Sequence, residues 1–382
     1  MATDTPPDGE TDRFEDVDWD ALGSGIGDID AIDAVTYGTF AVYALVLLYD
    51  VFVLPADQAT IDVTIAGFGY VWDVTGVDWL FVGTLLVFLF YAIVPLAQNR
   101  RLTAYYWREF KKNKAAVVSL IFLIGIFLTG TVGTIFIQPP TPNFAAISQP
   151  PVWQAGGSWD YPLGTTQDGS GVLKAVIFGM RVSMQVALIA TLISMVIATA
   201  VGATAAYGGG WVDEVLMRYV DIQLTFPTFF LFLLLVYLYG GSLLLLIVIF
   251  GVTGWGGIAR IIRSEALQRN EEAYIQAAKS AGGSTYHVIR RHIVPNVSNS
   301  IITAATLNIP FLILAEAGLS FLGLGDPTVP SWGQTIAAGR SQLSDAWCIS
   351  TIPGIFLFLT ILSFNFLGDA LRDALDPRQE TE

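Results

Sequence analysis

Charged side chains are what this sequence has least of. They make up 14% of its 382 residues, against about a quarter in a soluble domain. That shortage excludes an ordinary soluble fold. Apolar residues supply 53% and the mean hydropathy is +0.58, so a polytopic membrane protein is expected. Lysine is scarcer still, confined to Lys111, Lys112, Lys114, Lys174 and Lys279. The net charge of −14 argues against a nucleic-acid partner, which would need a basic surface. An acidic, lysine-poor exterior stays solvated in concentrated salt, and a halophilic source is expected on that ground. The single cysteine, Cys348, excludes an intrachain disulfide. No Cys/His cluster has metal spacing. The two histidines, His287 and His292, stand five apart, which places them on different faces of an α-helix and argues against a metal site. Nor is there a phosphate cradle: Lys279-Ser280 is the only Lys-Ser pair, and Ala278 stands where a Walker A loop needs glycine. Without a nucleophile beside a base, the chain is expected to be no enzyme. It binds no cofactor and does no ATP chemistry of its own.

Long apolar runs are what it does have. A crossing needs about 20 predominantly apolar residues, and runs at 35–54, 79–96, 116–137, 182–206, 301–321 and 352–367 meet that need. The stretch 224–258 is too long for one crossing and is divided by Gly240-Gly241-Ser242, giving 229–239 and 243–258, for eight expected spans. Arg and Lys cluster at 100–114, at 260–291 and at Arg372 and Arg378. Threading eight spans in order brings all three clusters to one side, which the positive-inside rule makes cytoplasmic. Both termini then lie in the cytoplasm. The segment 1–34 reads as an acidic tail. It has no positive region ahead of an apolar core, so no cleavable signal peptide is expected. Asp50 is expected at the membrane interface.

One polar stretch, 264–296, interrupts the apolar pattern. Leu267, Tyr274, Ala277, Ala278 and Ala281 recur at roughly helical spacing. Gly282 and Gly283 should end that helix, because glycine takes the left-handed conformation of a C-terminal cap. Ser284 is a candidate N-cap for a second helix over 285–293, stopped by Pro295. A helix, a glycine turn and a short helix on a membrane protein's surface suit docking.

The small pair Ala277-Ala278, Gly282 and Pro295 stand where the EAA loop of ABC importer permeases carries its small pair, glycine and proline. His292-Ile293-Val294-Pro295-Asn296 resembles the H-I-L-P-N ending of the dipeptide/oligopeptide version. Gln276 stands in place of that loop's glutamate, and Val294 in place of a leucine. Other stretches are similar to the same family. Tyr161-Pro162-Leu163-Gly164-Thr165, with Asp168 and later Arg181, resembles its external loop, from which Tyr161, Thr166, Ser170 and Gly171 depart. Tyr207 to Asp213 resembles its G-G-W-x-D turn. Ala315-Glu316-Ala317-Gly318-Leu319-Ser320-Phe321-Leu322-Gly323-Leu324-Gly325 resembles E-A-x-L-S-F-L-G-L-G, and Asn365 to Pro377 its N-x-L-G-D-x-L-R-D-x-L-D-P ending. From about Thr103 onward the chain is therefore identified as a member of the C-type membrane subunits of dipeptide/oligopeptide/nickel ABC importers.

The resemblance implies an all-α, type I ABC importer transmembrane fold with a six-span core at 100–382, preceded by two additional spans at 35–99. It implies a second, homologous permease as heterodimer partner, two ATP-binding subunits carrying ATP and Mg, an extracellular solute-binding protein, and a cell-membrane location. Tyr274, Ala277, Ala278, Gly282, Gly283, His292, Pro295 and Asn296 become the expected ATPase-coupling residues. A carboxylate inside a span costs about 3 kcal/mol on insertion scales, so Glu316 is expected to face the bundle interior, as a gate or as an interhelical hydrogen-bonder. Asp168 and Arg181 are further pathway candidates. Two salt bridges, Glu214–Arg218 and Asp369–Arg372, are expected from spacing. Arg260 and Arg263 read first as topological anchors. The cargo stays open between peptides, nickel and another small solute. An ion-coupled secondary transporter working through Glu316 or Asp50 is the alternative of a different class.

Overall fold

The computed structural model describes residues 31–55, 58–65, 68–72 and 74–375. Most of the acidic segment 1–34, and Asp376, Pro377 and Arg378 of the closing motif, lie outside the described residues. The chain packs as two units, 1–73 and 74–382. The first unit contains α1 (Ala31–Phe52), apolar throughout and with no buried residue. Asp50, near its end, accepts a hydrogen bond from Thr60 at 2.6 Å. A short antiparallel hairpin follows, β1 (Ile61–Ile65) paired with β2 (Phe68–Trp72), Ile61 opposite Trp72. This hairpin is the one departure from helix among the named elements. Its sequence, Ile61-Asp62-Val63-Thr64-Ile65, alternates apolar and polar residues as a strand does.

The second unit is helical. Helix α2 (Gly76–Phe88) runs through one π turn into Val94–Gln98. Then come α3 (Arg100–Phe110) and α4 (Lys114–Leu128), the latter prolonged to Phe136. Next are α5 (Val172–Gly208), α6 (Gly210–Thr225), α7 (Thr228–Tyr239), α8 (Leu243–Thr253) and α9 (Gly256–Asn270). After α10 (Ala273–Ser280) and α11 (Thr285–Val288) come α12 (Ser298–Phe321), α13 (Trp332–Gly339) and α14 (Cys348–Leu375). The fold is that of an all-α polytopic membrane protein.

Among the described residues, seven helices or helix pairs are long and apolar enough to cross a membrane. The fifth expected span, 229–239, coincides with α7, whose 12 residues reach only about 18 Å, short of the roughly 30 Å hydrocarbon core. It is one arm of a pair with α6, bent by 70°. The bend falls at Phe226-Pro227, where proline forces the preceding residue into extended backbone; Phe226 has ψ 125. The pair still joins the two ends of the bundle. At one end Asp213 of α6 meets Arg263 of α9. At the other, the turn after α7 lies against the loop after α12, where the Leu243 N–H donates to Asp326 at 3.1 Å. Counted as one broken crossing, it restores eight. The first of these ends carries the Arg/Lys clusters and is called the basic end below.

Helix α5 is the axis. It is buried along most of its length and packs against α2, α8, α9 and α12. It starts at Val172, well before the apolar run at 182, because Lys174 and Arg181 are polar yet helical. The span that contains α2 packs with this core: Val77 and Phe81 of α2 join the main apolar cluster, and the Phe81 ring lies 6.3 Å from that of Phe127. Membrane helices gain little hydrophobic drive from one another and rely on close packing at small residues. Near the opposite end, the Trp332 indole is fully buried over Gly179, and its Nε1–H donates to the Val176 carbonyl at 3.0 Å. Gly333 lies directly on α12: a methyl there would come within 2.1 Å of the Ala317 oxygen. Gly318, one residue along, faces open space. Gly333→Ala is therefore expected to destabilise the solubilised chain by about 1–3 kcal/mol, seen as a lowered Tm, while Gly318→Ala leaves the Tm unchanged.

Candidate functional site: a docking handle and a buried carboxylate

The polar stretch folds as expected in outline and differs in detail. Helix α10 ends at Ala281 in a left-handed cap: Gly282 has φ +82, its N–H donates to Lys279 O at 3.0 Å, and Gly283 N–H reaches back to Ala278 O at 3.0 Å. Those paired bonds satisfy carbonyls that the helix end would leave open. Ser284 caps α11, accepting from His287 N–H at 3.3 Å. The expected apolar face does not form one stripe. The helix breaks after Asn270, so Leu267 and Tyr274 sit on different helices. Gln276 donates to the Asn270 carbonyl at 3.1 Å across that break, a bond that the glutamate standing there in the EAA loop could not donate.

What faces inward is a set the sequence pattern did not single out. Ile275, Val288 and Ile293 are completely buried, packed with Ile262 and Ala266 of α9 and with Val220 of α6. Val288 and Ile293 are five apart, about 140° around an α-helix. They align because Ile289–Ile293 is a π turn, which widens the repeat. The same turn corrects the expectation for the histidines: His287 and His292 share a face, their rings 5.7 Å apart, with Tyr274 6.4 Å from His292. Outward stand Tyr274, Ala277, Gly282, Pro295 and Asn296, all exposed, with Ala278, Gly283 and His292 half-buried. Ser284, Tyr286, His287, Arg290, Arg291 and Pro295 line an open hollow of about 720 Å³. An exposed pair of small residues lets another surface approach the backbone, and the basic rim gives that surface a sign.

This handle is fastened to the bundle. Lys279 donates to Asn270 at 3.0 Å and stands 4.7 Å over the Tyr207 ring at the end of α5. Arg263 grips both carboxylate oxygens of Asp213, and Arg260 pairs with Asp221. The two arginines thus have defined partners within the chain, beyond topological anchoring. Those two carboxylates bind α6 to α9. Neither Glu214–Arg218 nor Asp369–Arg372 forms an ion pair among the described residues.

Glu316 is 1% exposed, inside α12. Ser320 Oγ donates to it at 2.8 Å, and Ser183 Oγ of α5 donates at 3.4 Å. It ties α12 to α5.

Residues 198–381 match the family described as the binding-protein-dependent transport system inner membrane component, and residues 102–151 match the N-terminal TM domain of oligopeptide transport permease C. The dipeptide transport system permease protein DppC of Bacillus subtilis is 36% identical over 71% of this chain and 84% of its own length. The oligopeptide transport system permease protein OppC of Escherichia coli K12 is 38% identical over 71% of this chain and 89% of its own. The chain belongs to this permease family. A solved structure of the inward-facing MetNI methionine ABC transporter matches 53% of this chain and 96% of its own, at 16% identity and TM-score 0.43.

The permease's other candidate residues have separate partners. Arg181 pairs with Asp78 at the start of α2, and Gln185 donates to the same carboxylate at 2.7 Å. Asp78 also closes a capping box with Thr75, a Thr-x-x-Asp signal readable ahead of the apolar run. It is the polar residue that sequence reasoning missed. Asp168 sits in the external-type turn, accepting from Thr166 and, at 3.0 Å, from Ser170. Partial burial pushes its carboxyl up, but the bonds from Thr166 and Ser170 outweigh that and hold it below the ordinary carboxylate range. A lowered folded value means the stabilisation is complete above the unfolded value, about pH 4, and is lost as pH falls through the folded one. Asp168→Asn is therefore expected to lower the Tm at pH 7 and to converge with wild type in acid. A Tm difference constant from pH 7 to 3 would contradict this.

Proposed function

We propose that this permease is a membrane subunit of an ATP-driven, binding-protein-dependent importer of di- or oligopeptides. The functions of the similar dipeptide and oligopeptide permeases support the cargo class, and the exposed handle supports the mechanism. A second, homologous permease completes the pathway as a heterodimer. Two ATPase subunits carry ATP and Mg, this chain holding no cofactor, and an extracellular solute-binding protein delivers the cargo. The basic end, with both termini, faces the cytoplasm.

The observation that carries the reading is the two-sided character of residues 273–296. Their outward side is small, exposed and basic-rimmed, suited to seat in a groove of an ATPase subunit. Their inward side, Ile275, Val288 and Ile293, is completely buried against α9. Closure of the ATPases would displace the handle, and a handle packed this way moves with α9, α6 and α5 as a rigid body. That shift alternates the bundle between inward-open and outward-open states; hydrolysis resets it. Glu316, bridging α12 and α5, is the candidate gate-side hinge of the same movement. Arg181 and Asp168 would shape the outer mouth.

Gly282→Pro tests the reading. Proline fixes φ near −65°, while Gly282 has φ +82 and donates its N–H. Uptake and substrate-stimulated ATP hydrolysis should fall to background, with wild-type amounts of the chain in the membrane. Ala277→Trp, which fills the docking surface without touching the fold, should reduce co-purification of the ATPase. Normal transport in both variants would overturn the proposal.

A further inference from the structure

The strongest positive patch outside the handle lies on α3. Six of the chain's 19 Lys and Arg residues fall within 100–114: Arg100, Arg101, Arg108, Lys111, Lys112 and Lys114. In a chain of net charge −14, that density is local and needs its own explanation. All six are exposed. Lys112 pairs with Glu109 at 2.5 Å; among the described residues the other five enter no ion pair. At 100° per residue, Arg100, Arg101, Arg108 and Lys111 fall within roughly 100° of one another.

Four further residues of the helix, Tyr105, Tyr106, Trp107 and Phe110, are aromatic. Phe110 is buried against Ala116 of α4 and Ala370 of α14. Trp107 stacks on Phe110 with ring centroids 5.7 Å apart and is 49% exposed; Leu102 is 46% exposed. Tyr105 and Tyr106 are half-buried. Position decides what meets these groups. Helix α3 begins two residues after the membrane-crossing segment that ends at Gln98 and finishes four before the one that starts at Lys114. Both ends are thus held at one membrane face, and a helix of about 16 Å between them stays at headgroup depth. Trp and Tyr favour that depth, and an amphipathic helix with a cationic face lies in it.

We propose that α3 is a binding site for the phosphate headgroup of an anionic phospholipid in the leaflet it borders. The unpaired guanidinium and ammonium groups supply the charge complement, and Trp107 and Leu102 enter the acyl boundary beside it. Because Phe110 joins α3 to Ala370, the bound headgroup also fixes the basic end of α14. A protein partner on the same cations is the competing occupant.

The test uses the full-length chain in its assembled transporter, in nanodiscs of phosphatidylcholine with a graded share of phosphatidylglycerol. Lipid retained after extraction is counted by native mass spectrometry. Each cation near an anionic surface contributes a factor of about five, so the four losses in R100Q/R101Q/R108Q/K111Q should together weaken phosphatidylglycerol retention by several hundredfold, on the order of the product of four such factors. R100K/R101K/R108K, which keeps the charge, should retain it. In pure phosphatidylcholine all three should behave alike. Should the quadruple variant fail to assemble, R101Q alone is expected to show a partial loss. Unchanged phosphatidylglycerol retention in the neutralised variants would overturn the proposal. So would loss of a co-purifying subunit with lipid retention intact, the signature of a protein partner.

Discussion

Close contact between α5 and α9 is the constraint on which the bundle depends. Ala198, Ala203 and Ala206 of α5 meet Ala259, Ile262 and Ala266 of α9 in one buried cluster, and Gly202 leaves room for the Ala259 carbonyl. A methyl on Gly202 would approach that oxygen to 2.6 Å. In a membrane, where lipid tails are as apolar as the side chains, dispersion across such a seam substitutes for the hydrophobic effect. The seam continues without a gap into the handle, since Ile275, Val288 and Ile293 belong to the same cluster as Ala259 and Ile262. An interface packed to this density does not deform gradually. Displacement of residues 273–296 is therefore transmitted to the membrane helices and not absorbed by the loop.

Polar groups serve the same end by tying helices that apolar contact alone would let slide. Near the basic end, the Asp213–Arg263 and Asp221–Arg260 pairs couple the bent α6 to α9. Toward the opposite end, Glu316 with Ser183 and Ser320, and Asp78 with Arg181 and Gln185, join α12 and α2 to α5. The two buried carboxylates, Glu316 and Asp78, are satisfied by donors from more than one segment, which is what a polar group removed from water requires. This arrangement also gives the span at Gly76–Gln98 a structural place: through Asp78, Val77 and Phe81 it is part of the packed core, although the family models begin at residue 102.

The sequence alone determined that the chain crosses a membrane repeatedly, where most crossings lie, and that a helix, glycine turn and short helix interrupt them. Those features follow from local rules: the length of an apolar run, glycine's tolerance of positive φ, and a serine at a helix start. Tertiary structure decided which side chains inside those elements do the holding. Ile275, Val288 and Ile293 come together only because a π turn shifts the helical repeat, which also unites His287 with His292. Likewise the acids that pair with Arg181, Arg260 and Arg263 lie 103, 39 and 50 residues away. Intrahelical spacing suggested Glu214–Arg218 instead, because periodicity sees neighbours on one helix and is blind to the helix packed alongside.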